Sequence, residues 1–125
     1  LAASTDLLKK VEKVKDSSIL LARAPEGLSA DILRSIALEL RAQNTNSVVA
    51  LTSLADGKVV LVVAVDDAAR ANGLKAGLLV KTGSTVLGGG GGGKDDFAQG
   101  GGTDATKIDT AFTEIKKAIS ASLGA

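Results

Sequence analysis

Nine of the fifteen glycines fall within residues 88–102, in the order Gly88-Gly89-Gly90-Gly91-Gly92-Gly93-Lys94-Asp95-Asp96-Phe97-Ala98-Gln99-Gly100-Gly101-Gly102. Successive backbone N–H groups without side chains can form a nest for an anion, and a lysine inside the run would add a point charge to it. Glycine loses more conformational entropy on folding than any other residue, so such a run either stays mobile or is held where a Cβ would be in the way. Phe97 and Ala98 supply apolar anchors and Gln99 a side-chain amide, whereas a flexible linker would interleave serine with glycine. The segment therefore reads as an ordered loop. If residues 90–93 need positive φ or a close backbone approach, a β-branched residue such as Val at Gly92 meets strain of roughly 1–3 kcal/mol.

Specific phosphate-binding motifs do not fit. A Walker A loop requires Ser or Thr after Gly-Lys to hold Mg²⁺, and Gly93-Lys94 is followed by Asp95. A dinucleotide fingerprint requires a strand before its glycines, whereas this run follows a helical pattern, and six consecutive glycines satisfy any such spacing trivially. The chain has no His, Cys, Met, Trp or Tyr, which excludes imidazole acid–base catalysis, thiolate nucleophiles, disulfides and zinc sites built from N and S ligands. The pairs Asp66-Asp67 and Asp95-Asp96 lack further ligands nearby in sequence and read as caps or turn residues, so no metal and no cofactor are expected. Serines and threonines lack a histidine to activate them. No catalytic constellation results.

The elements that must position the glycine segment follow from hydropathy patterning. Ser4-Thr5-Asp6 is an N-cap candidate for a first helix to about Lys15, with Leu7, Val11 and Val14 as its stripe. Ser18 to Ala22 reads as a buried strand ending near Pro25-Glu26-Gly27, and Ser29 caps a helix to about Gln43 whose core face holds Ile32, Leu33, Ile36, Ala37 and Leu40. Arg34 and Arg41, seven apart on that helix, project from nearly the same side, as a pair of phosphate contacts or as part of a solvated face. Residues 48–52 and 59–65 bracket Asp56-Gly57 and predict an antiparallel hairpin, its second strand so continuously apolar that both faces must be covered. A short helical turn at residues 66–70, a glycine-interrupted helix at residues 74–87, and a last helix capped by Thr103-Asp104, with Ile108, Phe112, Ile115 and Ile119 on its stripe, complete the chain. Phe112 belongs to the core on this reading and Phe97 anchors the loop. The fold class expected is α/β, a central β-sheet with flanking helices.

With 125 residues the chain is the size of one domain, and no apolar run reaches the ~18 residues of a membrane span. A soluble protein is expected. Fifteen Lys and Arg against fourteen Asp and Glu leave a net charge of +1, so any basic site must be local. The absence of Cys is compatible with a reducing compartment, and the missing Met at position 1 suggests a fragment of something longer.

Residues 88–102 closely resemble the glycine-rich signature of the C-terminal, DHHA1-type (C-Ala) domain of alanyl-tRNA synthetases: a glycine run, a basic residue, a short acidic step, a hydrophobic residue, then Ala-Gln and more glycine. Lys94 stands where that family often has Arg and Phe97 where Met is common, and the order of elements is similar from about Ser18 onward. Related DHH-family phosphoesterases carry Gly-Gly-Gly-His in the equivalent domain, and Lys94 occupies the histidine position. The resemblance implies a DHHA1-like globular domain at residues 17–125 with its glycine-rich loop at 88–102, preceded at residues 1–16 by a helix leading from an upstream helical part. It further implies a tRNA-binding and domain-bridging role, recognising the outer corner of tRNA, in a cytoplasmic enzyme whose alanine–tRNA ligase chemistry lies outside this chain. The nucleic-acid-binding residues expected are Gly90, Gly91, Gly92, Gly93, Lys94, Gln99, Arg34 and Arg41; the partner expected is alanine-specific tRNA through the parent enzyme, with a possible homodimer and no membrane. The competing readings are a substrate-clamping domain of a DHH-type phosphoesterase and a structural dimerisation module.

Overall fold

The computed structural model describes residues 11–44 and 46–124. Its centre is a six-stranded sheet of β1 (Glu12–Val14), β2 (Ser17–Arg23), β3 (Ser47–Ala55), β4 (Lys58–Val65), β5 (Gly90–Gly93) and β6 (Phe97–Gly102), in the order β1-β2-β3-β4-β6-β5. β2 and β3 run parallel, joined by the crossover helix α1 (Ala30–Gln43), and every other pairing is antiparallel. Two short or mid-length helices follow β4, α2 (Asp67–Ala71) and α3 (Ala76–Val86), and α4 (Ile108–Leu123) ends the fold. The α/β architecture with a central sheet is as the sequence predicts.

Alternation in β4 explains the layering. Val59, Leu61, Val63 and Val65 point into a core shared with α3 and α4, including Leu79, Val80, Ile108, Ile115 and Ile119. Val62 and Ala64 point the other way, into a core shared with Leu33, Ile36, Ala37 and Leu40 of α1. Each fully buried Val or Leu contributes about 1.5–3 kcal/mol relative to exposure, so both faces of this strand are strongly committed. The hairpin before it turns at Asp56 (φ 53°) and Gly57 (φ 75°), the pair of left-handed residues that a two-residue turn between twisted strands requires. Ser29 caps α1 as expected, its Oγ accepting from the Ile32 amide at 3.3 Å. At the last helix, Asp104 instead caps a 3₁₀ turn at Ala105–Lys107 before α4 begins. Phe112 is only partly buried there, against the α3/α4-side core.

Two expectations need correction. The stripe ending at Val11 and Val14 does not continue a helix to Lys15: Glu12–Val14 form β1, which turns through Lys15 (φ 52°) and pairs with β2, Val14 opposite Ser17. Val14 packs on the α3/α4-side core and Val11 on the α1-side core. A three-residue spacing places two side chains on one face of a helix but on opposite faces of a strand, so the same two valines satisfy either pattern. Among the described residues the sheet therefore starts at Glu12, before the boundary drawn at residue 17, and the remainder of the expected first helix falls outside the described residues. Residues 88–102, expected as an ordered loop, are ordered as a β-hairpin: β5 pairs with β6, Gly91 opposite Gly100 and Gly92 opposite Gln99, and β6 in turn pairs with β4.

The glycines of that hairpin have two different jobs. A Cβ at Gly91 would stand 2.4 Å from Gly100 Cα and 2.9 Å from Val80 Cγ1, and one at Gly100 would stand 2.4 Å from Ser84 Oγ. These positions let α3 lie directly on strand backbone. The fully buried Ser84 exploits the approach, its Oγ accepting from the Gly101 amide at 3.1 Å and its carbonyl from the Gly89 amide at 2.9 Å. Gly90 and Gly92 point away from α3 and meet nothing within 4 Å, so a side chain at 92 is sterically free, contrary to the expectation that Val there is strained.

Two stability measurements test this description. Ser29→Ala should lower stability by about 1 kcal/mol, a few degrees in Tm, through loss of the α1 cap. Gly91→Val should lower the thermal midpoint much further, because it drives a branched side chain into Gly100 and Val80, while Gly92→Val stays within about 0.5 kcal/mol of the parent. Equal midpoints for the two glycine variants would contradict the assignment of inward and outward faces.

Candidate nucleic-acid interface

The tip of the glycine hairpin, Lys94-Asp95-Asp96, is fixed from three directions. Its backbone closes on itself, the Lys94 amide donating to Phe97 O at 3.0 Å. The first two amides of α3 then donate into the tip, Ala76 to Asp95 O at 2.9 Å and Gly77 to Lys94 O at 3.1 Å. Lys75, the residue preceding α3, offers no side-chain cap, so the tip's carbonyls take up donors that would otherwise be orphaned. The same bonds engage the start of α3 with protein, which removes it as an open phosphate cradle. Finally Asp96 O accepts from the Val65 amide at 2.9 Å and from Arg41 Nη1 at 3.0 Å.

Arg41 thus reaches the hairpin from α1, across 55 residues of sequence. Arg34, two turns earlier on the same helix, does likewise, its guanidinium carbon lying over the Phe97 ring at 5.0 Å from the centroid. Phe97 is partly buried against the α1-side core and Arg34 is exposed. Folding therefore gathers most of the residues expected from sequence. Gln99 faces the α1 side of the sheet with its cross-strand neighbour Gly92, and Gly90 lies on that side too. Lys94, Gln99, Gly90 and Gly92 are exposed, and Arg34 and Arg41 border them along α1. The missing side chains of Gly91 and Gly93 face Gly100 and Ala98, so the absence of a Cβ there serves packing.

Among the described residues neither Arg34 nor Lys94 has an ion-pair partner. The resulting surface has a flat strip of backbone, two arginines tethered at its border and a lysine at its end. Such a surface admits a bulky polyanion close to the sheet and presents cations to it. Asp95 and Asp96 lower the local positive potential, which favours contacts at defined points over diffuse attraction.

The remaining candidates have structural work. Asp66 Oδ1 caps α2 by accepting from the Ala69 amide at 2.9 Å, and Asp67 pairs with Arg70. Both line an open cleft of about 590 Å³, together with Arg41, Asn44, Asn46 and Asp96. No group of three or more acidic side chains among the described residues is placed to hold a metal ion, and no described helix is long and apolar enough to cross a membrane. The Arg34–Phe97 contact and the role of Ser84 were not legible in sequence. The first needed a tertiary juxtaposition of α1 with β6, and the second is one serine on a helix that shows no distinguishing spacing.

Comparison with known proteins establishes the family and the fold. The DHHA1 domain profile matches residues 16–121. The chain is 47% identical over 125 residues to an alanine–tRNA ligase of Kocuria rhizophila, a match covering 98% of this chain and 14% of that protein. It is 38% identical over 125 residues to the alanine–tRNA ligase of Thermobifida fusca, again covering 98% of this chain and 14% of the relative. The chain thus spans about one-seventh of the length of these relatives. Among solved structures, the C-Ala domain from Aquifex aeolicus alanyl-tRNA synthetase superposes with a TM-score of 0.78 at 29% identity, covering 89% of this chain and 98% of that one. The DHH domain structure of a member of the s1p family of ribosomal proteins shares the fold at TM-score 0.56 and 14% identity, covering 94% of this chain and 29% of that one. With its profile match across most of the sequence, its glycine hairpin ordered against α3 and its C-Ala-like fold, the chain belongs to the DHHA1 domain family.

Proposed function

We propose that this domain binds tRNA through the face formed by α1 and the glycine hairpin, as the C-terminal, domain-bridging part of an alanyl-tRNA synthetase that engages the outer corner of tRNA. The observation that carries the reading is the convergence of Arg34 and Arg41 from α1 on the hairpin that bears Lys94 and Gln99, beside a strand face left bare by Gly90 and Gly92. Lys94, Arg41 and the amides of Gly91 and Gly93, which lie on the outer edge of β5, supply phosphate contacts, and Gln99 a neutral donor and acceptor. Alanine specificity and ligase chemistry reside in the parent enzyme, and a cytoplasmic location follows from that role. Side-chain-free strands let the ribose–phosphate backbone approach the sheet closely, where amides and a few fixed cations hold it by shape.

The alternative from the phosphoesterase branch keeps the same fold, but Lys94 stands where that branch has a histidine, which favours holding a phosphate over turning one over. A homodimer would use the open sheet edges at β1 or β5, and sedimentation of the free domain tests that separately.

Fluorescence titration of the purified domain against an alanine-tRNA transcript should give weak, salt-sensitive binding. With two to four phosphates neutralised, the log–log salt slope is roughly −2 to −4. Lys94→Ala should reduce affinity and flatten that slope by about one without moving the thermal midpoint, since Lys94 is exposed and its side chain holds nothing in place. Affinity independent of salt, or a Lys94→Ala variant that binds like the parent, would refute the phosphate-led reading.

A further inference from the structure

We infer that Arg34, backed by Phe97, is a stacking platform for an RNA base on the tRNA-binding face, and that Gln99 reads the edge of that base. The inference rests on the proposed function and assigns one part of the site a chemistry that phosphate contacts do not require. Arg34 is exposed and Phe97 is partly buried, so the guanidinium is the outer member of the pair. The guanidinium carbon lies over the ring, 5.0 Å from its centroid, and the exposed side chain leaves the rest of the group open to solvent. A planar cation held in this way resembles the inner layer of a stack. Nucleobases are recognised on single-stranded or terminal positions by aromatic rings or by arginine planes of this kind.

Three observations favour a base over a phosphate as the occupant. Arg34 has no carboxylate partner among the described residues, so no ion pair occupies its guanidinium. Gln99 lies two residues beyond Phe97 on the same strand, about 6–7 Å along it and on the same face of the sheet. Its side chain is exposed and makes no hydrogen bond among the described residues. An amide carries both donors and an acceptor, the combination that pairs with the edge of a base, whereas a phosphate uses donors alone. Opposite Gln99 stands Gly92, with nothing within 4 Å in the direction its side chain would take. The backbone beside the amide is therefore unobstructed. Arg41 differs in each respect: it is partly buried and its Nη1 is engaged by Asp96 O at 3.0 Å. The two arginines thus divide the work, Arg41 holding the hairpin tip and Arg34 meeting the base.

Arg34→Lys separates the two chemistries, because lysine keeps the charge and loses the plane. In titrations against the alanine-tRNA transcript, Arg34→Lys and Arg34→Ala should both weaken binding, each by roughly ten-fold, the effect of removing one stacked base contact. Arg34→Lys should leave the salt slope unchanged. Phe97→Leu, which retains an apolar side chain on the α1-side core but removes the ring, should lose part of the affinity, and Gln99→Ala should weaken binding without altering the salt slope. A tRNA affinity for Arg34→Lys equal to the parent's overturns the inference, since charge alone would then suffice. Loss of affinity accompanied by a fall in thermal midpoint of more than a few degrees in Arg34→Lys also overturns it, assigning the contact to hairpin stability. Failure of the parent domain to bind the transcript at all refutes the proposed function itself, an outcome distinct from the first two.

Discussion

The close seating of α3 on the backbone of the glycine hairpin is the contact on which the rest of this surface depends. Ordinary strands keep a helix about 10 Å away through their side chains. Here Val80 and Ser84 rest against Gly91 and Gly100, so the hairpin can be both an edge of the sheet and a lining of the α3 side. Because α3 takes up the inward direction, only the opposite direction, toward α1, is open. Glycine's entropic disadvantage is offset by these bonds and by the sheet pairing through β6 to β4. A strand with no side chains of its own, β5, is thereby positioned by its neighbours' side chains.

That dependence explains why the tip is bound so thoroughly. Residues 94–96 carry an exposed lysine and two carboxylates, none of which packs the turn. Its geometry is set by carbonyls that accept from Ala76, Gly77, Val65 and Arg41. Hydrogen bonds from an arginine to a carbonyl are charge-assisted and stronger than neutral ones. Arg41 therefore couples α1 to the hairpin, and with Arg34 over Phe97 it sets the distance between the helix and the strip of bare backbone.

Much of this was legible in the sequence where side chains carry the pattern. Ser29, the apolar spacing of Leu33, Ile36, Ala37 and Leu40, the Asp56-Gly57 turn and the double-sided apolar run of β4 each appear in the fold, whereas Ile32, read onto the same helix face, is 50% exposed. The two failures share a cause. Alternation is the signature of a strand, and a glycine run has no side chains to alternate, so β5 and much of β6 leave no periodic trace. At β1, three residues are too few for period two to be told from a helical spacing, and Val11 and Val14 fit both. The candidate site was legible as residue types but not as a face. Which glycines point outward follows from the register, Gly92 opposite Gln99, and register is a property of pairing with β4 and β6.

The balance of charge places a constraint on how such a face can recognise RNA. A net charge of +1 supplies little long-range attraction, so affinity must come from contacts whose ordering cost is settled before binding. The structure shows that ordering in the places where it matters: Arg41 is tied to Asp96, Arg34 is stacked on Phe97, and the strand backbone has no rotamers to freeze. A surface lysine on a flexible loop would give up most of its gain to immobilisation. Side-chain-free backbone and tethered arginines lose little when a rigid partner arrives. On the proposed function, a domain built this way selects its RNA by the shape of its corner more than by the amount of its charge, which suits a folded RNA better than an extended strand.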